Sequence, residues 1–226
     1  MADTKAFDPV WSSIYAGQHE VRYPWDAVVS FVMRCVPKER ERRSIRILEV
    51  GCGTASNLWF AAREGFSVAG VDAAPSAIEK ARTRFAQDGL SADLRVSNFI
   101  SLPFDDGIFD LVIDRGSLTC TGLGHAVAAI AEIERVIVPG GAFFFNPYSN
   151  RHTSAKSGTA IGNGLVADIH AGTMVGVGQV CFYSENNVRD ALAGWSIRSL
   201  VHVEAVEMAE SVESVHAEWR VIAERR

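Results

Sequence analysis

The chain has 226 residues, 48% hydrophobic and 22% charged, enough apolar content for one sizeable core and too much for a disordered chain. A formal charge of −5 argues against nucleic acid as the main partner, and no apolar run reaches the roughly 18 residues of a membrane span. Cys35, Cys52, Cys120 and Cys181 lie far apart without a C-x-x-C pair, which excludes a cysteine zinc site and suits reduced thiols in a cytoplasmic protein without a signal peptide.

Residues 1–24 read as an irregular arm carrying Trp11, Tyr15, Tyr23 and Pro24. An apolar helix is expected over 25–36, ended by Pro37, and KERERRS (38–44) is a solvated linker. Ile45 to Val50 is a short apolar run of the kind buried on both faces of a sheet. Gly51 and Gly53 follow at once, where the missing side chains permit unusual backbone angles and close ligand approach. A helix over 57–64 and a strand over 67–71 come next, with Asp72 at the strand's carboxyl end. In a doubly wound sheet that order sets an acid beside the ribose of a nucleoside held over the glycine turn. Ser56 occupies the third glycine position of a G-x-G-x-x-G dinucleotide fingerprint, so that fingerprint is incomplete.

The pattern continues with a helix over 76–87 and strands over 92–96 and 108–113, the last ending in Asp114-Arg115-Gly116-Ser117. A helix over 124–136, Pro139-Gly140-Gly141 and a strand over 142–146 follow. Residues 148–182 break this rhythm. They hold six glycines with Arg151, His152, Asp168 and His170, and a strand is expected there only over 174–181. FYSENNVRDALAGW (182–195) reads as a helix, and strands over 195–203 and 217–223 complete the chain.

LEVGCGT (48–54), the acid Asp72, SLPFDDGIFDLVID (101–114) and P-G-G before an aromatic strand resemble the class I S-adenosylmethionine-dependent methyltransferases. The likeness is to the small-molecule group that includes quinone-biosynthesis enzymes. It is strong over 45–148, moderate over 182–224 and loose elsewhere. Ala55 stands where that family usually has a third glycine, and Asn98 where it usually has an acid. The resemblance implies an α/β, Rossmann-like doubly wound sheet of seven strands, ordered 3-2-1-4-5-7-6 with strand 7 antiparallel. Within a single domain, 1–226, it implies an N-terminal arm and helix (1–44), a cofactor core (45–148), a substrate-covering insertion after strand 5 (149–182) and a C-terminal part of the sheet (183–226).

The same resemblance implies S-adenosylmethionine as cofactor. Gly51, Cys52 and Gly53 would approach its amino-acid part and ribose, and Glu49 would support the loop or, through water, the cofactor's ammonium. Asp72 would take the ribose hydroxyls, and Ala73, Asn98 and Phe99 would meet the adenine. Asp114 and Arg115 would face the methionyl ammonium. Tyr15, Tyr23 and Tyr148 are candidate substrate contacts. A hydroxyl acceptor profits from a general base, and His125, His152 and His170 are candidates, with His152 and His170 first because they lie in the insertion. His19, His202 and His216 read as structural. No metal is expected, the substrate is a small molecule, and the protein is a monomer or homodimer. Two other functions stay open: an S-adenosylmethionine binder without turnover, and a nicotinamide-dependent oxidoreductase.

Overall fold

The computed structural model describes residues 8–17, 20–209 and 214–226; the expectation for His19 lies outside them. Seven strands form one sheet in the order β3-β2-β1-β4-β5-β10-β9. These are β1 (Arg46–Val50), β2 (Ser67–Asp72), β3 (Asp93–Val96), β4 (Phe109–Arg115), β5 (Ile137–Asn146), β9 (Ser196–Glu207) and β10 (Ser214–Glu224). The first five are parallel to their neighbours, whereas β10 runs antiparallel to both β5 and β9. This is the expected order, with β10 in the place of strand 7. The chain reverses its direction of winding between β1 and β4, and the carboxyl ends of such strands are where doubly wound sheets bind ligands.

Both faces of the sheet are covered, which explains why β1 and β4 are apolar at successive positions. One face buries Ile47, Leu111, Ile113 and Phe144 against Phe31, Leu58, Ile78 and Phe85. Those four side chains come from α2 (Asp26–Cys35), α3 (Ser56–Arg63) and α4 (Pro75–Gln87). The other buries Leu48, Val50, Val112, Phe143 and Phe145 under α5 (Leu123–Val136) and α7 (Glu185–Ala191). Phe144 stacks on Phe31 with ring centroids 5.2 Å apart. Removing either ring would cost about 3–5 kcal/mol, because so tight a site closes only in part. Among the described residues no helix is long and apolar enough to cross a membrane.

The remaining elements are additions. The arm forms α1 (Val10–Ala16), which lies along α4. After β5 come α6 (Thr153–Lys156), β6 (Thr159–Gly162), β7 (Leu165–Ala167) and β8 (Val180–Cys181), the three strands making a small second sheet. Of the strand expected over 174–181, only Val180–Cys181 pairs. The β6–β7 hairpin was not expected. Its two-residue loop is Asn163-Gly164, both with positive φ (52° and 78°), the combination that matches the twist of a tight hairpin. The Asn163 side chain packs into the space left by Gly122 and accepts from Gly124 N at 3.3 Å, fixing the insertion to the start of α5.

Candidate functional site

At the carboxyl end of β1 the chain turns through Gly51 (φ 63°) and Gly53 (φ 53°). A Cβ on Gly51 would lie 2.1 Å from Ser117 Cβ, and one on Gly53 would lie 2.5 Å from the Tyr15 hydroxyl. The turn is therefore gripped from two sides, by the end of β4 and by the arm. Asp72 pins it from a third. Its Oδ2 accepts from Gly53 N and its Oδ1 from Ala74 N, each at 2.8 Å. Burial raises the Asp72 pKa, opposed by these two bonds.

Two further carboxyls stand beside the turn. Glu49 Oε1 accepts from Asn57 Nδ2 at 2.7 Å, and Asn57 Oδ1 accepts from Trp25 N at 3.0 Å, linking the strand to the start of α2. Asp114 Oδ1 accepts from Ser117 N and Leu118 N, each at 3.0 Å. The other oxygen of each group, Glu49 Oε2 and Asp114 Oδ2, is buried without a hydrogen-bond partner in the protein. Burial pushes the Glu49 pKa up to about 8, with the charges of Asp114 and Asp72 adding to it and the Asn57 bond opposing. Burial likewise raises Asp114 to about 6.

The turn, Glu49 and Asp72 border a cavity of about 310 Å³. Of the residues singled out in the sequence, Glu49, Gly51, Cys52, Gly53, Asp72, Ala73, Phe99, Arg115, Tyr15 and Tyr148 line it. Arg115 is almost wholly buried, 3.3 Å from Glu218 Oε2, with its guanidinium 4.0 Å from the Trp25 ring centre. Burial raises Tyr15 and Tyr148 above the ordinary phenol range. It also raises the thiol of Cys52, and that of Cys120 to about 12.

Other expected residues are placed elsewhere. Asp114 stands behind the cavity wall, tying the 114–118 turn. Asn98 Oδ1 accepts from Ile100 N at 3.0 Å, so the oxygen expected to face an adenine is turned into its own loop, and only Phe99 of that pair lines the cavity. Tyr23 is 70% exposed and does not line the cavity; Trp25, itself 43% exposed, does. His125 lies in the first turn of α5 beside Thr121. Asp168 is exposed. His170 is also exposed and borders a separate polar hollow with Arg151 and Lys156. His152 is fully buried in a layer behind the cavity lining. Its Nδ1 accepts from Ser154 N as the cap of α6, and its Nε2 lies 3.0 Å from Thr173 Oγ1 and 3.3 Å from His216 Nδ1. Burial, with His216 nearby, lowers its pKa to about 4.

The sequence reading did not anticipate Asn57, Ser117, Trp25, Thr173, Met174 or His216. Trp11 from the arm and Thr173, Met174, Val177 and Val180 from the insertion share the cavity wall. The two segments touch through Asp8, whose Oδ2 accepts from Gln179 N at 3.3 Å.

Residues 47–141 match a family described as a methyltransferase domain. A Bacillus subtilis protein named as an uncharacterized methyltransferase is 33% identical over 95 residues, covering 42% of this chain and 40% of that one. The chloroplastic tocopherol O-methyltransferase of Arabidopsis thaliana is 28% identical over 121 residues, covering 52% of this chain and 34% of its own. The chain thus spans well under half the length of these relatives. The solved structure of a Methanosarcina mazei SAM-dependent methyltransferase superposes with a TM-score of 0.72 at 19% identity, over 90% of this chain and 98% of that one. At that identity the likeness is one of fold.

Proposed function

We propose that this chain, whose residues 47–141 match a methyltransferase-domain family, is an S-adenosylmethionine-dependent enzyme of class I that moves a methyl group to a small-molecule acceptor in the 310 Å³ cavity. The observation that carries the reading is the pinned turn Gly51–Gly53 beside the cavity-lining carboxyl of Glu49, whose Oε2 is buried without a partner in the protein. A buried acceptor left unpaired costs about 1–3 kcal/mol, and a ligand with a cationic ammonium relieves that cost. S-Adenosylmethionine fits such a donor set, and when bound it supplies a methyl on a positively charged sulfur, already activated for transfer.

Glu49 would serve the ammonium end, with Asp114 supporting from behind. Asp72, with lone pairs left on both oxygens, would take the ribose hydroxyls. Ala73 and Phe99 would flank the adenine. The backbone of Gly51, Cys52 and Gly53 can come close to a ligand because no side chain intervenes at either glycine. Trp11, Tyr15 and Trp25 on one side, with Met174 and Val177 on the other, would exclude water and hold the acceptor at attack distance. No covalent enzyme intermediate is needed.

Calorimetry and thermal shift with S-adenosylmethionine, S-adenosylhomocysteine and NAD(H) test the cofactor. A ligand at a hundred times its Kd should stabilise the fold by about 2.7 kcal/mol. A shift with NAD(H) and none with the adenosyl compounds would overturn the reading. Radiolabelled methyl transfer over an acceptor library then separates an enzyme from a binder without turnover.

A further inference from the structure

Behind the cavity wall, four side chains from three parts of the chain are strung together, His152, Thr173 and the β10 pair His216 and Glu218. Pairing of the 147–149 segment with β10, through Trp219 N to Pro147 O and Ser149 N to Ala217 O, brings His152 against that strand. His216 and Glu218 are two residues apart on β10 and so share a face. Thr173, from the insertion, reaches into the cavity wall while its Oγ1 lies 3.0 Å from His152 Nε2 and 3.1 Å from His216 Nδ1.

The hydrogen-bond directions follow from one fixed point. His152 Nδ1 accepts from Ser154 N, so the neutral ring carries its proton on Nε2 and donates toward Thr173 Oγ1. That same Nε2–H lies 3.3 Å from His216 Nδ1, where a second N–H would oppose it, so His216 Nδ1 is read as bare and is open to the Thr173 proton at 3.1 Å. That puts the His216 proton on Nε2, 3.6 Å from Glu218 Oε2. Glu218 is ionised: burial raises its pKa, but bonding from His216 and the charges of Arg115 and Arg220 outweigh that and hold it at about 2. The groups facing His216 are thus His152, Thr173, the Tyr148 ring at 5.7 Å and Glu218, the last shared with Arg115 and Arg220.

We propose that Thr173, His216 and Glu218 form a proton relay opening on the cavity, and that the acceptor is a hydroxyl compound. Its hydroxyl hydrogen-bonds to the free lone pair of Thr173 Oγ1. This rests on the methyl-transfer reading above. As the acceptor oxygen forms its bond to the methyl carbon, that carbon's bond to sulfur breaks and the pair of electrons stays on sulfur. The acceptor proton passes to Thr173 Oγ1, and the threonine's own proton passes to His216 Nδ1. The resulting imidazolium faces the Glu218 carboxylate and returns its proton to water, since the His216 side chain is 31% exposed. His152 and Glu218 are positioning residues; they set which way the Thr173 and His216 protons point. A neutral amine needs little such management, whereas a hydroxyl gains from it.

The test uses the full chain, ¹⁵N-labelled at histidine, with S-adenosylhomocysteine bound and 4-nitrophenol as an ionisation probe. Imidazole NMR should show both His152 and His216 as Nε2–H tautomers at neutral pH, with the His216 tautomer lost or mixed in Glu218→Gln. A His216 protonated at Nδ1 overturns the relay, because Thr173 would then have no acceptor. At a pH one unit below the free probe's pKa, bound 4-nitrophenol should show about a tenfold higher ratio of yellow phenolate to neutral phenol than the free probe. Thr173→Val and His216→Gln should abolish that gain while keeping S-adenosylhomocysteine affinity within about twofold. No gain in the unmodified protein at millimolar probe, or a gain that survives Thr173→Val, overturns the proposal. If S-adenosylhomocysteine itself fails to bind, the cofactor reading falls, and the tautomer result still judges the relay.

Discussion

Binding of a cationic cofactor should expel about one proton at pH 7. Glu49, with its pKa raised to about 8, is protonated in about nine of ten free molecules at that pH, and Asp114, at about 6, in about one of ten. An ammonium beside Glu49 favours the carboxylate, so binding moves that pKa down and the proton leaves. Calorimetry with S-adenosylhomocysteine in two buffers of different ionisation enthalpy reads the number released directly. It should be near one at pH 7 and fall to about a tenth at pH 9, where Glu49 is already ionised. Glu49→Gln should remove it. The same protonation governs stability of the free protein. The folded pKa of Glu49 lies above its unfolded value, so the folded state holds more protons and stability falls as pH rises through the window. His152, depressed to about 4, works in the opposite direction up to about a unit past its unfolded value near 6.5, and Asp114, at about 6, adds to the Glu49 trend near pH 6.5, so Glu49 supplies the largest part of the change from pH 6.5 to 8. Across those 1.5 pH units Glu49 contributes a loss of about 1.6 kcal/mol, or roughly 3–6 °C in Tm for a chain this size. Equal heats in both buffers at pH 7, with Tm flat from 6.5 to 8, would refute the assignment of a protonated Glu49 to the cofactor wall.

Asp72→Asn should do more than weaken cofactor binding. Both oxygens of Asp72 hold backbone N–H groups. An amide must turn its own NH₂ against one of them, at a cost of about 1.5–3 kcal/mol. Denaturant melts of the ligand-free variant check this, and an unchanged midpoint contradicts it. Gly51→Ala adds a Cβ 2.1 Å from Ser117 Cβ at positive φ, so it should destabilise by more than the ~1–2 kcal/mol of the backbone term alone; Gly89→Ala, with nothing near its Cβ, supplies the comparison at similar φ. Asp8→Ala removes the acceptor of Gln179 N, and hydrogen exchange should rise at 174–180 while the central strands keep their protection.

The central sheet was legible because its signals are local. Ile47 and Leu48 point to opposite faces and are both apolar, as a strand covered on two sides requires, and the glycine turn followed by Asp72 spans only 22 residues. The insertion hid its structure in longer reach. Asn163-Gly164 was a readable hairpin signal, but its flanking strands are exposed along β6 and carry little apolar alternation. His216 could not be paired with His152 from sequence, since 64 residues separate them and the contact exists only once the segment after β5 lies on β10. Tyr23 and Trp25 flank Pro24, and which of the two aromatics borders the cavity depends on the packing of α2 against α3, not on either residue's chemistry.

A methyl sulfonium is an alkylating reagent, and Cys52 and Cys120 sit in the wall that would hold it. A thiol attacks such a carbon only as the thiolate. With its pKa raised to about 12, Cys120 exposes on the order of one thiolate per hundred thousand molecules at pH 7, and Cys52 is raised well above its ordinary value too. Self-alkylation is thus suppressed by the same burial that forms the pocket, and the fold carries sulfur next to an electrophile without becoming its substrate.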